Sequence, residues 1–248
     1  MSKRYFIDKA LAPFLPITSD IHAHLIPGID DGPQTMEEAV NMVNKLQKAG
    51  YEQLTATPHV FLEYYPNTKE QILKGYQALK MAVSNAGIDV EIKVAAEYFL
   101  DDHFLEILHV DDLLTINENS ILVELSLHGS TVGMTEIFQE IREKEYMPIL
   151  AHPERYLYLE IEDYRQLLHF GCQFQVNLLS LVGYYGVKEQ KRAHFLFKKG
   201  WVTYLGTDAH NEIQVEKIDK LLNIRSSKNR RSFPKKVVDY LSLALTRF

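Results

Sequence analysis

The chain has 248 residues, of which 46% are hydrophobic, so it is long enough to bury a full core and suits one large α/β domain better than two small ones. Its net charge of −6 gives no general attraction to nucleic acid. The single cysteine, Cys172, excludes an intramolecular disulfide framework and fits a reducing compartment. The apolar stretch 10–17 is short, contains two prolines and has no signal-peptide cleavage site, so we expect a cytoplasmic protein without membrane insertion.

Short apolar runs alternate with amphipathic helical patterns along the chain. Strands are predicted over 17–25, 53–57, 90–96, 120–123, 147–151, 174–176 and 202–206. Helices are predicted over 35–49, 68–85, 134–145, 162–170, 188–199, 213–225 and 235–245. No residue-level repeat and no low-complexity linker divides this pattern, so we expect a single domain over 1–248.

The alternation of strands and helices indicates parallel pairing. Seven or eight such units close most naturally into a barrel of the triosephosphate isomerase kind. A doubly wound open sheet is the alternative, although no G-x-G-x-x-G motif follows the first strand. In a parallel barrel the carboxyl ends of all strands form one rim, so polar residues at these ends are expected to meet there.

The first strand ends in the sequence D-I-H-A-H-L-I-P-G-I-D-D-G-P, from Asp20 to Pro33. In an extended segment His22 and His24 lie on one face, so their imidazoles converge on one point. Neutral imidazole is the commonest side-chain metal ligand, and the adjacent Asp30 and Asp31 offer carboxylate oxygens. A histidine pair alone is a weak signal, so its weight depends on the other strand ends.

The remaining strand ends supply further imidazoles and carboxylates. Together they deliver five histidines and four carboxylates: His22, His24, Asp31, His59, Glu97, Glu124, His152, Asp208 and His210. Chance placement of so many ligand-type residues at one rim is improbable, which favours a metal centre. Imidazole and carboxylate without thiolate suit manganese, iron or zinc in a catalytic rather than a structural site.

Nine ligands exceed what one ion needs, so two or three divalent ions are expected, with Glu97 as a bridge. Three divalent ions would outweigh the four carboxylates by about two charges, which favours an anionic substrate such as a phosphate ester. Arg155, three residues after His152, is placed to hold a phosphate with a bidentate fork. The alternative for Arg155 is an ion pair with Glu154 or another rim carboxylate. Aromatic residues after His59, namely Phe61, Tyr64 and Tyr65, flank an aromatic ester or pack locally.

The motifs D-I-H-A-H, T-P-H, A-A-E, A-H-P-E-R and T-D-A-H-N, in this order, resemble the polymerase-and-histidinol-phosphatase (PHP) superfamily. The added D-D-G-P, I-L-V-E-L-S and E-R-Y segments resemble its CpsB/YwqE branch of bacterial metal-dependent protein tyrosine phosphatases. The resemblance implies an α/β fold with a distorted (βα)7 barrel and a centre of two or three ions, most often manganese. It also implies hydrolysis of phosphotyrosine on a tyrosine autokinase of polysaccharide synthesis and export.

The resemblance also assigns residues. It implies that His22, His24, Glu97 and Asp208 bind one ion, that His59 and His152 bind a second sharing Glu97, and that Asp31, Glu124 and His210 bind the third. Arg155 corresponds to a phosphate-binding arginine. A second arginine, common in this branch after the D-x-H-N motif, is missing here, and Lys217 or an arginine of segment 225–231 is the candidate substitute.

Three readings follow from the sequence: a phosphotyrosine phosphatase, a small-molecule phosphatase of the histidinol-phosphate kind or a phosphodiesterase, and a non-catalytic metal-containing module that binds a kinase. A cysteine-dependent phosphatase is excluded because Leu178 stands where a C-x5-R loop starting at Cys172 requires arginine. Cys172 precedes a predicted strand, and we expect it to be buried.

Overall fold

The computed structural model of the protein describes residues 18–110, 112–129 and 132–223. Three segments discussed above lie outside these residues: the apolar stretch 10–17, the basic segment 225–231 and the helix predicted over 235–245.

Within the described residues the strands are β1 (Ser19–Ala23), β2 (Gln53–Ala56), β3 (His59–Val60), β4 (Glu91–Val94), β5 (Glu97–Phe99), β6 (Ser120–Glu124), β7 (Met147–Ala151), β8 (Gln173–Asn177) and β9 (Val202–Gly206). The α-helices are α1 (Met36–Lys48), α2 (Lys69–Asn85), α3 (Asp102–Val110), α4 (Met134–Glu143), α5 (Ile161–His169), α6 (Val187–Lys199) and α7 (Glu212–Asn223). Two short 3-10 helices, Pro153–Arg155 and Leu178–Val182, follow β7 and β8.

All seven predicted strands are present, and two of them continue after a break. Thr57 and Pro58 separate β2 from β3, and Ala95 and Ala96 separate β4 from β5. Pro58 has no N–H for a ladder hydrogen bond, which ends regular pairing. The two breaks lie side by side, because Ala95 N donates to Ala56 O at 2.9 Å and Glu97 N donates to Pro58 O at 3.0 Å. The nine strands therefore occupy seven positions around the fold.

Among the described residues β1 to β9 pair only in parallel, as the sequence pattern predicted. One sheet has the order β1-β2-β4 and the other β3-β5-β6-β7-β8-β9. Beyond β9 the chain returns to β1: Asp208 N donates to His22 O at 2.8 Å, and His24 N donates to Ala209 O at 3.0 Å. These bonds join the edge strands of the two sheets at a seam, which gives the fold the circular strand order of a barrel.

The packing agrees with this order. Leu122, Ile149 and Ala151 of β6 and β7 form a small cluster with Ile21 of β1 and Tyr204 of β9. The alternate residues of the same strands, such as Ile121 and Leu150, belong to the main core, which includes the buried faces of the helices. Both faces of these parallel strands are covered, which explains their nearly continuous apolar sequences.

The helices follow the predicted amphipathic patterns. Thr35 caps α1 in a capping box with Glu38, and Thr68 caps α2 with Gln71 in the same way. Helix α3 was not predicted: it has 9 residues and begins after Asp101, whose carboxylate accepts a hydrogen bond from Phe104 N at 2.8 Å. Cys172 is buried, as expected. Among the described residues no helix combines the length and apolar character needed to cross a membrane.

Candidate metal centre

Four predicted ligands meet at the seam between β1 and β9: His22, His24, Glu97 and Asp208. His22 Nε2 lies 3.1 Å from Glu97 Oε2 and 3.4 Å from Asp208 Oδ1. His24 Nε2 lies 3.4 Å from each of these two oxygens. Ligands about 2.1 Å from a tetrahedral ion are about 3.4 Å from one another, so the four atoms have the spacing that surrounds one ion. All four side chains are almost completely buried.

The outer nitrogens of the two histidines explain why their inner nitrogens point at this space. His22 Nδ1 donates to Gln175 Oε1 at 2.8 Å, and His24 Nδ1 donates to Asp30 Oδ2 at 2.8 Å. In the neutral, metal-binding form of both rings Nδ1 carries the proton, and the Nε2 lone pairs then face each other across 3.3 Å. Facing lone pairs repel unless a cation lies between them, so the arrangement fits a bound metal ion.

A chain of amides fixes these orientations. Asn177 Nδ2 donates to Asp208 Oδ2 at 2.6 Å, and Gln175 Nε2 donates to Asn177 Oδ1 at 3.0 Å. Because a carboxylate only accepts, this sequence of bonds leaves Gln175 Oε1 to accept from His22. The sequence pattern predicted the strand over 174–176 that contains Gln175, but it identified neither Gln175 nor Asn177 as part of the site. Asp30, expected only to offer carboxylate oxygens, instead positions His24 and also accepts from His59 N at 3.2 Å.

Glu97 joins this group to a second one that contains His59 and Glu124. His59 Nδ1 lies 3.2 Å from Glu97 Oε2 and 2.9 Å from Glu124 Oε1. Despite these distances, His59 Nδ1 and Glu97 Oε2 have no hydrogen-bond partner in the described part of the chain. The nitrogen and the oxygens thus converge on a common point rather than bonding one another, which fits a second ion with Glu97 as the bridging ligand.

His152 lies beside this second group. Its Nε2 is 3.0 Å from Glu97 Oε1 and 3.9 Å from Glu124 Oε2. Its backbone φ is 35°, and that of Asp208 is 50°, in the left-handed region that residues with a Cβ rarely adopt. Strained backbone at both residues follows from turning a strand end so that its side chain faces the rim.

The third group contains His24, Asp31, His59 and His210. Asp31 Oδ1 lies 3.4 Å from both His59 Nε2 and His210 Nε2, and the rings of His24 and His210 stack with centroids 3.8 Å apart. Asp31 is half-exposed, so this group forms the mouth of the centre. The distances place Glu124 with His59 and Glu97 rather than with Asp31 and His210. Which ligand serves the second ion and which the third therefore stays a prediction.

The centre strongly favours positive charge. Burial lowers the pKa of His24, but Asp30, Asp208 and Glu97 raise it well above its ordinary value. Burial and His24 lower the pKa of His59, but Glu97, Asp31 and Glu124 raise it to about 10. Burial raises the pKa of Glu97, yet the charges of its histidine neighbours bring it well below its usual range. Acids that hold protons on the imidazoles in this way also attract a divalent ion, which can replace those protons.

Arg155 lies at the edge of the centre. Its Nη1 is 3.4 Å from Asp208 Oδ2, and its guanidinium lies over the Tyr185 ring, 4.7 Å from the centroid. Glu154 is not its partner, because that buried carboxylate accepts from Asn177 N and from Ser180 Oγ. The ammonium of Lys217 lies over the Tyr184 ring instead, at 5.4 Å. Its proposed replacement of a second arginine stays a prediction.

A groove of about 770 Å³ opens beside the metal centre, and His59 and Glu124 form part of its wall. Aromatic rings line the rest of that wall: Tyr65 stacks on His59 with centroids 5.4 Å apart, and Phe61 stacks on Phe99 at 3.9 Å. All three aromatic residues singled out after His59 line the groove, namely Phe61, Tyr64 and Tyr65. Local packing and a place beside an aromatic ester are therefore compatible.

The chain is similar to several proteins of known name. The tyrosine-protein phosphatase CpsB of Streptococcus pneumoniae is 27% identical over 200 residues, which cover 77% of this chain and 82% of that protein. The putative tyrosine-protein phosphatase CapC of Staphylococcus aureus is 26% identical over 195 residues, 77% of this chain and 76% of the relative.

Crystal structures of YwqE from Bacillus subtilis and CpsB from Streptococcus pneumoniae, described as metal-dependent tyrosine phosphatases, give a TM-score of 0.75 at 21% identity. The match covers 92% of this chain and 94% of the other, and it confirms the predicted α/β fold of the distorted barrel type. The model of the capsular polysaccharide synthesis family CpsB/CapC matches residues 18–237. This chain therefore belongs to the CpsB/CapC family, which confirms the resemblance carried by its motifs.

Proposed function

We propose that this chain, as a single domain, is a metal-dependent protein-tyrosine phosphatase. The observation that carries the proposal is the position of Glu97 Oε2, which lies within 3.4 Å of a nitrogen of His22, His24 and His59 without a hydrogen bond to any of them. One carboxylate oxygen shared by three imidazoles is the arrangement of a bridging ligand in a centre with more than one ion. The relatives are named tyrosine-protein phosphatases, so we assign hydrolysis of phosphotyrosine to this centre.

The donor set favours manganese as the resident ion, with iron or zinc as alternatives. The ligand groups combine imidazole and carboxylate, and no thiolate belongs to them. We assign the ligand roles to the nine residues predicted from the sequence. When bound, the ions supply Lewis-acid activation of the attacking water and positive charge for the phosphoryl oxygens.

The side chains of the protein bind and orient the ester. Arg155 is only partly exposed, and its guanidinium is held between Asp208 and the Tyr185 ring, so it is preorganised to donate hydrogen bonds to two phosphoryl oxygens. Asp30 and Gln175 keep the Nδ1 protons of His24 and His22 away from the centre. The leaving tyrosinate has a conjugate acid with a pKa near 10, so protonation by a general acid is secondary and none is assigned.

The substrate is a phosphotyrosine in a protein, and we propose a tyrosine autokinase of polysaccharide export as its source. Two features support a protein substrate. This chain matches the capsular polysaccharide synthesis family, and its relatives carry tyrosine-protein phosphatase names. The groove beside the centre is wide enough for a chain segment and has aromatic walls that suit a phenyl ester.

Hydrolysis assays test the proposal. Protein purified without chelator should hydrolyse p-nitrophenyl phosphate with added manganese and lose this activity on chelation. A phosphotyrosine peptide should be cleaved with higher kcat/KM than histidinol phosphate. Clear preference for the small molecule would refute a tyrosine phosphatase, and metal content without any hydrolysis would indicate a binding module.

A matched pair of variants tests the site. The double variant His22→Ala/His24→Ala should lose metal content and activity together. The control His109→Ala/His169→Ala removes two histidines from exposed positions of α3 and α5 and should retain both. Full activity in the first double variant would refute the ligand assignment.

A further inference from the structure

The groove beside the centre is built from three consecutive rim segments. Residues 61–65 follow β3, residues 99–103 end β5 and begin α3, and residues 124–127 end β6. Because His59 and Glu124 belong to both the centre and the groove, a substrate whose phosphoryl group lies at the centre has this groove next to it. A cavity of about 770 Å³ is about 9 Å across, the length of about three extended residues.

The rim of the groove exposes large apolar side chains. Leu62 is 55% exposed, Tyr64 63% and Leu127 40%. Apolar side chains gathered around a cavity, rather than scattered over the surface, mark a surface that contacts a ligand. These exposed side chains can pack against the backbone and the apolar side-chain stems of a peptide on either side of the phosphotyrosine.

The charge of the groove is one-sided. Outside the metal centre its acidic and histidine lining residues are Glu63, Asp101, Asp102 and His103, and none of the lining residues is a lysine or arginine. His103 Nδ1 lies 3.3 Å from Glu106 Oε2, so this imidazole has an acidic partner of its own. In the described part of the chain these three carboxylates form no ion pair with a basic side chain. Asp101 accepts a hydrogen bond from Phe104 N through one oxygen, which fixes its carboxylate at the start of α3. Arg155, by contrast, lies on the side of the centre that faces Asp208 and Tyr185.

On the basis of the proposed phosphatase function, we propose that this groove selects phosphotyrosine segments that carry lysine or arginine within about three residues of the phosphotyrosine. The phosphate requires the positive centre and Arg155, and the flanking residues meet a wall of unpaired carboxylates. Basic flanks gain attraction there, and acidic flanks are repelled. The groove is thus a specificity site for the chain around the phosphotyrosine.

Three peptides measure this selection. They share one phosphotyrosine and differ in having two lysines, two alanines or two glutamates on each side of it. At low ionic strength we expect kcat/KM to fall in the order lysine, alanine, glutamate, with about tenfold between the first and the last. The ratio should shrink as salt is added, because the carboxylates are near the surface.

Two triple variants separate the groove from the net charge of the protein. Glu63→Gln/Asp101→Asn/Asp102→Asn removes the groove charges, and the asparagine at 101 keeps an acceptor for Phe104 N. Glu52→Gln/Asp89→Asn/Glu118→Gln removes the same charge from exposed positions before β2, β4 and β6, at the opposite end of the strands. The lysine-to-glutamate ratio should fall to about twofold or less in the groove variant and stay at its original value in the control. Thermal unfolding of both variants checks that they are folded.

The outcomes are distinct. If the three peptides are cleaved equally, or if both triple variants lower the ratio alike, the groove proposal is wrong and the phosphatase function stands. If p-nitrophenyl phosphate is hydrolysed and no phosphotyrosine peptide is, the phosphatase proposal fails and the groove proposal fails with it.

Discussion

Gln175 offers a sharp test of how the centre is held, because it touches no ion in the proposed arrangement. In Gln175→Leu, His22 loses the acceptor of its Nδ1 proton at 2.8 Å, and Asn177 Oδ1 loses its donor at 3.0 Å. Both groups are buried, and each unpaired group costs about 1–3 kcal/mol. With His22 free to rotate, and Asp208 less firmly held through Asn177, affinity for the ion at these ligands should fall about 10- to 100-fold. That range corresponds to about 1.4–2.8 kcal/mol.

The assay is the dissociation constant of Mn²⁺, measured by competition with a fluorescent chelator, together with kcat at saturating Mn²⁺. The activity of Gln175→Leu should recover largely at high metal concentration, because the ligands themselves remain. Gln173→Leu is the matched control: it lies two residues earlier on the same face of β8, and its side-chain oxygen has no hydrogen-bond partner among the described residues. Unchanged affinity in Gln175→Leu, or an equal loss in Gln173→Leu, would refute the positioning role.

Three other substitutions address the arginine, a close contact at the seam and the core. Tyr185→Leu should raise KM for phosphotyrosine peptides about three- to tenfold with a smaller effect on kcat, because the ring that holds Arg155 is lost, and Tyr185→Phe should restore KM. Gly206→Ala should lower the metal content, since a Cβ there would lie 2.9 Å from His22 Cβ, and retention of full metal content would contradict this. Phe138→Ala should lower the free energy of unfolding in urea by about 3–5 kcal/mol while leaving Mn²⁺ affinity unchanged.

The positions of the ligands along the chain were predictable because parallel strands place their carboxyl ends at one rim. Six of the seven predicted strands contain or lead into a predicted ligand that the structure brings to the centre, from His24 after β1 to Asp208 after β9. The other, β8, leads into Asn177, which donates a hydrogen bond to Asp208. The signal was the change from an apolar run to a polar residue, which does not depend on knowing the pairing order. The same reasoning predicted the parallel sheets and the barrel type of fold.

The division of the ligands among ions could not be predicted in the same way. The resemblance groups Glu124 with Asp31 and His210, an assignment that stays a prediction, and in the structure the Glu124 carboxylate lies 2.9 Å from His59 Nδ1. That distance depends on the register of β6 relative to the break between β2 and β3. The sequence pattern predicts the strands but not this register. The short helix α3 was missed for a related reason: only two of its residues, Phe104 and Leu108, are buried, so its periodicity was too brief to recognise.

The positioning residues were missed because their role depends on a partner far away in the sequence. Gln175 is an uncharged residue within a buried strand, and nothing in its neighbourhood distinguishes it from a residue of the core. Its function appears only once Gly206 of the adjacent strand leaves room for it and for His22. The β8 sequence Q-F-Q-V-N nevertheless contains a signal, because a side-chain amide within a buried strand requires hydrogen-bond partners.

The metal centre and the seam of the fold are held by the same residues. Backbone bonds of His22, His24 and Asp208 join β1 to the segment after β9, and Asp20 accepts three further hydrogen bonds there from Thr207 and His22 N. Side chains from both sides of this seam, His22 and His24 from one and Asp208 from the other, surround the first ion position.

Any cation bound there attracts both sides at once, so it opposes separation of the edge strands as well as balancing buried charge. Binding to the folded state alone adds RT ln(1 + [L]/Kd) to the stability, about 2.7 kcal/mol at a hundredfold excess over Kd. The position of the ion at the seam means that this stabilisation acts on the contact that completes the ring of strands.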